Sequence, residues 1–128
     1  SLVSPKQLAL PENYRAVLGG KVGDVTQDLE VAKSADIVYV TRVQKERFEN
    51  SAEYDECKAA FVIDSEFMRG LKSTARIMHP LPRIAEIAKT VDVDLRAAYF
   101  RQAANGLYVR MALLQIIAEE ERNKFSFS

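Results

Sequence analysis

The stretch Ala35-Asp36-Ile37-Val38-Tyr39-Val40 decides the fold class, because its β-branched and aromatic run predicts a buried strand. Leu29 to Ser34, directly upstream, predicts a short helix that leads into this strand. Working outward, the expected helices are Pro11 to Leu18 and Ser65 to Leu71, and the further expected strands are Ala59 to Ile63 and Ala75 to Met78. Short apolar strands that alternate with helices predict an α/β fold with a mainly parallel sheet.

The end of the chain has a different pattern. From Ala103 onward, apolar residues recur mostly at spacings of three and four, which predicts one face of a long helix that ends near Asn123. These residues are Leu107, Met111, Leu114, Ile117 and Ala118. We interpret Glu119-Glu120-Glu121 as a solvated face of this helix and Lys124 to Ser128 as a tail.

Composition and charge argue against several classes of protein. The 128 residues suit about one domain, and 48% of them are hydrophobic, which is enough for a core. Lys plus Arg and Asp plus Glu both number 18, whereas a nucleic-acid-binding protein normally has a basic excess. The longest apolar stretch, Met111 to Ala118, is too short to span a bilayer, and Ser1 to Leu10 lacks the pattern of a signal peptide. The single Cys57 cannot form an internal disulfide and fits a reducing, cytoplasmic setting.

Two segments that follow predicted strands carry residues suited to ligand binding. Thr41 to Arg47 follows the first strand, where open α/β sheets bind ligands, and Arg42 offers a fork of donors that fits a carboxylate. Gln44 adds a donor and an acceptor, although a solvated loop with a local Glu46–Arg47 ion pair is an alternative interpretation.

His79-Pro80-Leu81-Pro82-Arg83 follows the last predicted strand, and its two prolines constrain the backbone and remove two N–H donors. Some carbonyls of this segment are therefore free to face a ligand, and the Leu81-Pro82 bond is a candidate for the cis form. We interpret His79 as a hydrogen-bonded structural residue and not as a general base, because no nucleophile or set of metal ligands accompanies it.

Together with a third segment, these motifs resemble the aspartate transcarbamoylase family. The matching segments are Thr41 to Arg47 as T-R-V-Q-K-E-R, His79 to Arg83 as H-P-L-P-R, and Tyr99 to Gly106 as Y-F-R-Q-x-x-N-G. Their order and separation also match, and the likeness covers nearly the whole chain. The related ornithine transcarbamoylases have a cysteine in the motif that here reads H-P-L-P, so the resemblance implies aspartate as the substrate.

The resemblance implies the role of each site residue. Arg42 would hold a carboxylate of L-aspartate, and Gln44 would help to place that substrate. Leu81 and Pro82 would contact carbamoyl phosphate through their backbone carbonyls, with a cis bond between them. Glu46 and Arg47 would form interdomain contacts when the site closes. The family reaction needs no covalent enzyme intermediate, so positioning and charge stabilisation carry the catalysis, and no metal or other cofactor is expected.

The resemblance also implies the architecture. Residues 1–102 would form an incomplete three-layer, parallel-sheet aspartate-binding domain, and residues 103–128 a long C-terminal helix that returns to a carbamoyl-phosphate domain. The complete enzyme would be a cytoplasmic homotrimer in pyrimidine synthesis, with the rest of its own chain as a partner and no nucleic acid or membrane.

Parts of the family pattern are missing from these 128 residues. The phosphate-binding motif S-T-R-T is absent, and Ser73-Thr74-Ala75-Arg76 lies before a predicted strand and not at the start of a helix. The family's catalytic histidine and second aspartate-binding arginine would lie upstream of Ser1, so we expect no catalytic residue here and an inactive fragment. Two alternatives remain open, namely a non-catalytic binding or assembly module and a nucleic-acid binder that uses Arg42, Lys45 and Arg47.

Overall fold

The strands are short and pair in parallel as two separate ladders. The computed structural model describes residues 1–125, with side chains through residue 122. In the first ladder β1 (Leu2–Val3) pairs with β2 (Val25–Thr26), and in the second β3 (Ile37–Tyr39) pairs with β4 (Arg76–Met78). Isolated parallel bridges join Ile63 to Ile87 and Ile77 to Ala97.

Four α-helices are described, and the caps of two of them follow directly from the sequence. They are α1 (Glu12–Leu18), α2 (Ser51–Ala60), α3 (Ser65–Gly70) and α4 (Tyr99–Phe125). Asn50 accepts a hydrogen bond from the Ala52 N–H at 2.8 Å, and Asp64 accepts one from the Phe67 N–H at 2.8 Å, so both side chains satisfy backbone donors at a helix start. The 3-10 segments are Lys6–Leu8, Gly19–Lys21, Leu29–Ser34, Lys45–Arg47 and Lys89–Val93.

The core lies where β3 and β4 meet α3 and the start of α4. Its members are Val38, Ile63, Phe67, Met68, Leu71, Ala75, Ile77, Ile87, Val91 and Tyr99. Tyr99 and Ile77 are completely buried, so the first residue of α4 packs directly against the middle of β4. The α/β fold with parallel strands and a long C-terminal helix is therefore confirmed.

Three expectations about these elements were wrong in part. The strand expected at Ala59 to Ile63 is absent, because α2 continues to Ala60 and only Ile63 forms a bridge. A short apolar run does not distinguish a strand from a helix, and here Tyr54 and Cys57, three residues apart, give α2 its buried face. The last helix begins at Tyr99 and not at Ala103, and it continues past Asn123 to residue 125. The part of the expected tail at residues 126–128 lies outside the described residues.

The strand around Val38 is only half buried. Val38 is 8% exposed, whereas the flanking Ile37 and Tyr39 are 60% and 55% exposed. The apolar face of α4 is open as well, because Leu107, Met111 and other apolar residues along it are more than half exposed. Within the described residues, no helix combines the length and the apolar character that crossing a membrane requires.

An ion pair between Asp94 and Arg96 joins the segment before α4 to the end of α3. Arg96 donates to both carboxylate oxygens of Asp94, through Nε at 2.9 Å and through Nη2 at 2.7 Å, and its Nη1 donates to the Leu71 carbonyl at 2.9 Å. These charge-assisted hydrogen bonds lower the pKa of Asp94 to about 2. A carboxyl whose pKa is lowered in the folded state stabilises that state above its unfolded pKa, and this contribution is lost as the pH falls through about 2.

We therefore expect Asp94→Asn to lower the free energy of unfolding at pH 7 by about 1–2 kcal/mol. The difference between Asp94→Asn and the parent chain should shrink as the pH is lowered towards 2, because the parent carboxyl then becomes protonated as well. Urea titrations at several pH values would measure it. Asp55→Asn on the exposed side of α2 is the matched control, and an equal loss of stability in both variants would contradict the prediction.

Candidate active site at the carboxyl end of β3 and β4

The motifs identified in the sequence start at one edge of the fold, where β3 and β4 end. Tyr39 lies opposite Met78 in the parallel register, and the Val40 N–H donates to the Met78 carbonyl at 2.8 Å. Thr41 to Arg47, here called the Arg42 loop, and His79 to Arg83, the His79 loop, therefore start side by side. The Ala98 N–H donates to the Ile77 carbonyl at 2.9 Å, which brings the start of α4 to the same edge.

Gln102 connects these segments through its side chain. Its Oε1 accepts a hydrogen bond from the His79 N–H at 2.9 Å, and its Nε2 donates to the Tyr39 hydroxyl at 3.3 Å. One amide on the first turn of α4 thus holds the start of the His79 loop and the end of β3. The sequence placed Gln102 in the motif Tyr99 to Gly106 but predicted no role for it, because the two partners of the amide are 23 and 63 residues away.

His79 is buried in a hydrogen-bond network that defines its tautomer. Only 1% of the residue is exposed. Its Nδ1 accepts from the Leu81 N–H at 2.8 Å, so Nε2 carries the proton and donates to Glu86 Oε1 at 2.9 Å. Both ring nitrogens are therefore occupied, which agrees with the interpretation of His79 as a structural residue and leaves it no free nitrogen to act as a base.

Glu86 is the buried carboxylate that completes this network. Its Oε2 accepts hydrogen bonds from the N–H groups of Ile84 at 3.1 Å and Ala85 at 2.9 Å. Burial by itself would raise the pKa of Glu86, but the backbone donors and His79 outweigh it and hold the pKa below its ordinary value. The sequence did not predict this role, because a single Glu seven residues after a His forms no recognisable motif.

The backbone of the His79 loop presents open acceptors. The Leu81-Pro82 peptide bond is cis, which confirms the expectation, and Leu81 has a φ of 52°. That left-handed conformation is unfavourable for leucine, and the hydrogen bond from its N–H to His79 helps to hold it. The carbonyls of Leu81 and Pro82 accept no hydrogen bond from any residue that the structure describes, so both remain free to meet a ligand.

Arg83, the last residue of the His79 loop, binds other residues of the protein through both terminal nitrogens of its guanidinium. Its Nη1 and Nη2 bind the two carboxylate oxygens of Asp92, and Nη1 also contacts the Tyr99 hydroxyl at 3.1 Å. The guanidinium lies over the Tyr99 and Phe100 rings, 5.4 and 5.9 Å from their centroids. The Arg83 hydrogen bonds lower the pKa of Asp92, and burial together with the bond to Asp92 raises the pKa of Tyr99 to about 12. Arg83 thus anchors the loop to α4.

The side chains of the Arg42 loop remain available. Arg42 and Gln44 are both exposed, and neither side chain has a hydrogen bond or ion pair to any described residue. The local Glu46–Arg47 ion pair considered from the sequence does not form among the described residues, although Lys45–Arg47 makes a 3-10 turn. The guanidinium of Arg42 is therefore free to receive a carboxylate at the edge where the open carbonyls lie.

A cleft of about 490 Å³ adjoins this edge on the side of α4. Met78 lines it at the end of β4, and Arg101, Gln102 and Arg110 line it along α4. The segment Ser73 to Arg76 lies at the opposite end of β4, whose first residue is Arg76, and Arg76 donates to the Thr74 and Ala75 carbonyls there. No group of three or more His, Cys, Asp or Glu side chains suited to a metal ion occurs in the described part of the chain.

Comparisons with known proteins point to one family. A family model described as "Aspartate/ornithine carbamoyltransferase, Asp/Orn binding domain" matches residues 2–117 of this chain. Among solved structures, the catalytic subunit of M. jannaschii aspartate transcarbamoylase superposes with a TM-score of 0.81 at 40% identity, over 92% of this chain and 40% of that one. Aspartate transcarbamoylase from Trypanosoma cruzi, in complex with N-(phosphonacetyl)-L-aspartic acid, gives a TM-score of 0.75 at 42% identity, over 88% of this chain and 38% of that one.

The curated relatives include a multifunctional protein and an aspartate carbamoyltransferase catalytic subunit, and both are longer than this chain. Multifunctional protein pyr-3 of Neurospora crassa is 50% identical over 121 residues, which are 91% of this chain and 7% of the relative. The aspartate carbamoyltransferase catalytic subunit of Clostridium perfringens is 44% identical over 117 residues, which are 88% of this chain and 38% of the relative. The chain therefore spans well under half the length of these relatives.

Proposed function

This chain belongs to the aspartate/ornithine carbamoyltransferase family, and from that premise we propose that it forms the aspartate-binding part of an aspartate carbamoyltransferase catalytic chain. In the proposed reaction the amine of L-aspartate attacks the carbamoyl carbon of carbamoyl phosphate. A C–N bond forms, the C–O bond to phosphate breaks, and the amine loses a proton. The products are carbamoyl aspartate and phosphate, as a step of pyrimidine synthesis.

The observation that carries this proposal is the convergence of a free guanidinium and two free carbonyls at one sheet edge. Arg42 lies in the loop after β3, and Leu81 and Pro82 lie in the loop after the neighbouring strand. A guanidinium fork matches a carboxylate, whereas it would repel the side-chain ammonium of ornithine. Carbonyl oxygens are acceptors and fit the amino group of a carbamoyl compound better than its phosphate.

Each site residue then has a distinct role. Arg42 would bind a carboxylate of aspartate in a bidentate manner, and Gln44 would orient the same substrate through its amide. The carbonyls of Leu81 and Pro82 would accept hydrogen bonds from the carbamoyl NH₂ group. His79 and Glu86 do not touch substrate in this scheme, because their hydrogen bonds serve to hold Leu81 in place.

The complete protein is proposed to contain a carbamoyl-phosphate domain in addition to the present residues. Residues 1–102 would then belong to the aspartate-binding domain, and residues 103–128 would return to that second domain. The exposed apolar residues of α4 support this arrangement, since Leu114 is 68% and Ile117 57% exposed. Glu46 and Arg47 would contact the second domain when the site closes. A cytoplasmic homotrimer is the proposed form of the complete enzyme.

Purified alone, the 128-residue chain is expected to form no carbamoyl aspartate above background, because its sequence has no S-T-R-T motif to bind the phosphate. A colorimetric assay for carbamoyl aspartate would measure this. Turnover by the chain alone would contradict the prediction.

Adding a separately expressed carbamoyl-phosphate domain from an aspartate carbamoyltransferase tests the proposed function itself. Restored activity is expected if the chain contributes the aspartate half of the site. A stable complex without activity would instead favour a non-catalytic assembly module that has kept the fold.

A further inference from the structure

The backbone pairing of β3 and β4 stops where the two loops of the candidate site begin. The last link is the Val40 N–H, which donates to the Met78 carbonyl at 2.8 Å. Within the described residues, no backbone hydrogen bond connects the Arg42 loop to the His79 loop beyond that point. The separation of the two loops is therefore left to side chains, although the proposed reaction needs the groups on them at a fixed distance from each other.

The side chain of Gln102 supplies a link across this gap. Its Oε1 and Nε2 bind the His79 N–H at 2.9 Å and the Tyr39 hydroxyl at 3.3 Å. His79 begins one loop, and Tyr39 ends the strand that leads into the other. Because the His79 N–H can only donate, the amide oxygen must face it, and the NH₂ group must face Tyr39. The amide therefore has one orientation that satisfies both partners.

Gln102 extends from a rigid base. Its own N–H donates to the Ala98 carbonyl at 2.8 Å in the first turn of α4, and Tyr99 in that turn is completely buried. The Ala98 N–H is bound in turn to the Ile77 carbonyl of β4 at 2.9 Å. The first turn of α4 is thus fixed to the sheet, so the amide can hold its two partners at a defined distance.

Burial does not explain the contact with Tyr39. That side chain belongs to a residue that is 55% exposed, and water could bind its hydroxyl at little cost. The His79 N–H is different, because it belongs to a buried residue and needs an acceptor for stability alone. Stability therefore accounts for one bond of the amide and leaves the other, to an exposed hydroxyl, without a role.

We propose that Gln102 is a positioning residue that sets the separation between the groups that bind aspartate and those that bind carbamoyl phosphate, an inference that rests on the function proposed above. Gln102 does not touch substrate. It fixes the start of the loop that carries Leu81 and Pro82 against the end of the strand that leads to Arg42. A misplacement of about 1 Å between reacting groups lowers a rate by about a hundredfold, so one amide between the loops is enough to affect turnover.

Tyr39→Phe in the complete catalytic chain removes only the second of these bonds. The His79 N–H keeps its acceptor, so the free energy of unfolding should stay unchanged. We expect kcat to fall about tenfold or more, while KM for aspartate and the dissociation constant of carbamoyl phosphate change by less than about threefold, because each loop keeps its own binding groups. Steady-state kinetics and calorimetric titration would measure these quantities, with the exposed Tyr14→Phe as the matched control.

Substitutions of Gln102 provide an independent arm of the test. Gln102→Met keeps the length of the side chain without its hydrogen bonds, so kcat should fall at least as far, and adding Tyr39→Phe should lower it no further. Gln102→Glu can accept from both the His79 N–H and the Tyr39 O–H, so it should recover most of kcat, and Tyr39→Phe should remove that recovery. Gln27→Met, at an exposed glutamine outside the candidate site, is the matched control.

A normal kcat in Tyr39→Phe would overturn the inference, because Gln102 would then serve stability only. Losses of kcat that multiply in the double variant would also overturn it, since Tyr39 would then act independently of Gln102. A rise in KM for aspartate as large as the fall in kcat would do the same, by showing that a binding group was lost and not the separation. Activity of the parent chain tests the proposed function, whereas the ratio of each variant to that parent tests this inference.

Discussion

Replacing Arg42 by alanine in the complete catalytic chain is expected to lower kcat/KM for aspartate by a factor between roughly 30 and several thousand. This range corresponds to about 2–5 kcal/mol, the cost of removing one partner of a bidentate ion pair that becomes buried when the proposed site closes over the substrate. The loss is expected because the guanidinium of Arg42 has no other partner among the described residues and is therefore free for the substrate. Steady-state kinetics with aspartate varied at saturating carbamoyl phosphate would measure it.

The binding of carbamoyl phosphate should change little in the same variant. Its proposed contacts at Leu81 and Pro82 are backbone groups of the His79 loop, which the substitution does not alter. Arg42→Lys is expected to give an intermediate loss, because lysine keeps the charge but not the planar fork. Arg69→Ala, an exposed arginine on α3, is the matched control. Equal losses for both substrates, or none for aspartate, would show that the Arg42 loop is only a solvated surface.

The second large effect concerns folding and not binding. Glu86→Ala is expected to lower the free energy of unfolding by about 3–5 kcal/mol, because it leaves buried donors without their acceptor. The donors are His79 Nε2 and the N–H groups of Ile84 and Ala85. Such a loss is a large fraction of the stability of a domain of this size. Urea unfolding followed by circular dichroism would measure it, with the exposed Glu49→Ala as the control.

The pH dependence of stability provides a second test of the same network. The folded pKa of Glu86 lies below its ordinary value, so its contribution is present above the unfolded pKa and is lost as the pH falls through the folded one. The parent chain should therefore lose part of its advantage over Glu86→Ala in acid. An advantage that is independent of pH, or a loss no larger than that of Glu49→Ala, would mean that the carboxylate of Glu86 is not the acceptor that holds His79 and Leu81.

Glu86→Gln separates the charge from the hydrogen bonds. Its amide oxygen can still accept from Ile84 and Ala85, but its NH₂ group would then face His79 Nε2, which also donates. A change of tautomer in His79 would relieve that contact only by placing a proton on Nδ1, opposite the Leu81 N–H. We therefore expect Glu86→Gln to be destabilised as well, by less than Glu86→Ala, and to disturb the loop that carries the free carbonyls.

Local patterns in the sequence predicted much of the fold because they depend on near neighbours. The run around Val38 forms β3, the 3-10 segment before it begins at Leu29 as expected, and α3 lies within one residue of its predicted end. The Ala59 to Ile63 strand was wrong because a short apolar run at the end of α2 has no decisive period. The start of the last helix was placed four residues late, although Tyr99 lies four residues before Ala103 and fits the same spacing.

The residues of the candidate site, like the elements of the fold, were predicted only in part. Motif order and spacing indicated Arg42, Gln44, Leu81 and Pro82 as binding residues, and these assignments remain proposals, although the structure does bring their loops to one edge. The sequence predicted no role for Gln102, Glu86 or Asp92. Gln102 binds groups 23 and 63 residues away, Glu86 binds His79 seven residues away, and Asp92 binds Arg83 nine residues away. Gln102 lies within the family motif, but neither it nor the other two residues has a type or spacing that reveals its partners before the chain is folded.

The sequence by itself determined the strands β3 and β4, the helices α1 and α3, the absence of net charge and the chemistry available at the two loops. Only the tertiary structure decided which of those groups remain free, and two arginines show why. Arg42 and Arg83 both lie in motifs that follow parallel strands, and their residue type alone does not show which guanidinium stays free. In the fold, both terminal nitrogens of the Arg83 guanidinium bind Asp92 and one of them also binds Tyr99, whereas the guanidinium of Arg42 has no partner among the described residues. The difference arises because hydrogen bonds depend on distance and direction, and residues far apart in the chain acquire these only when the strands pair.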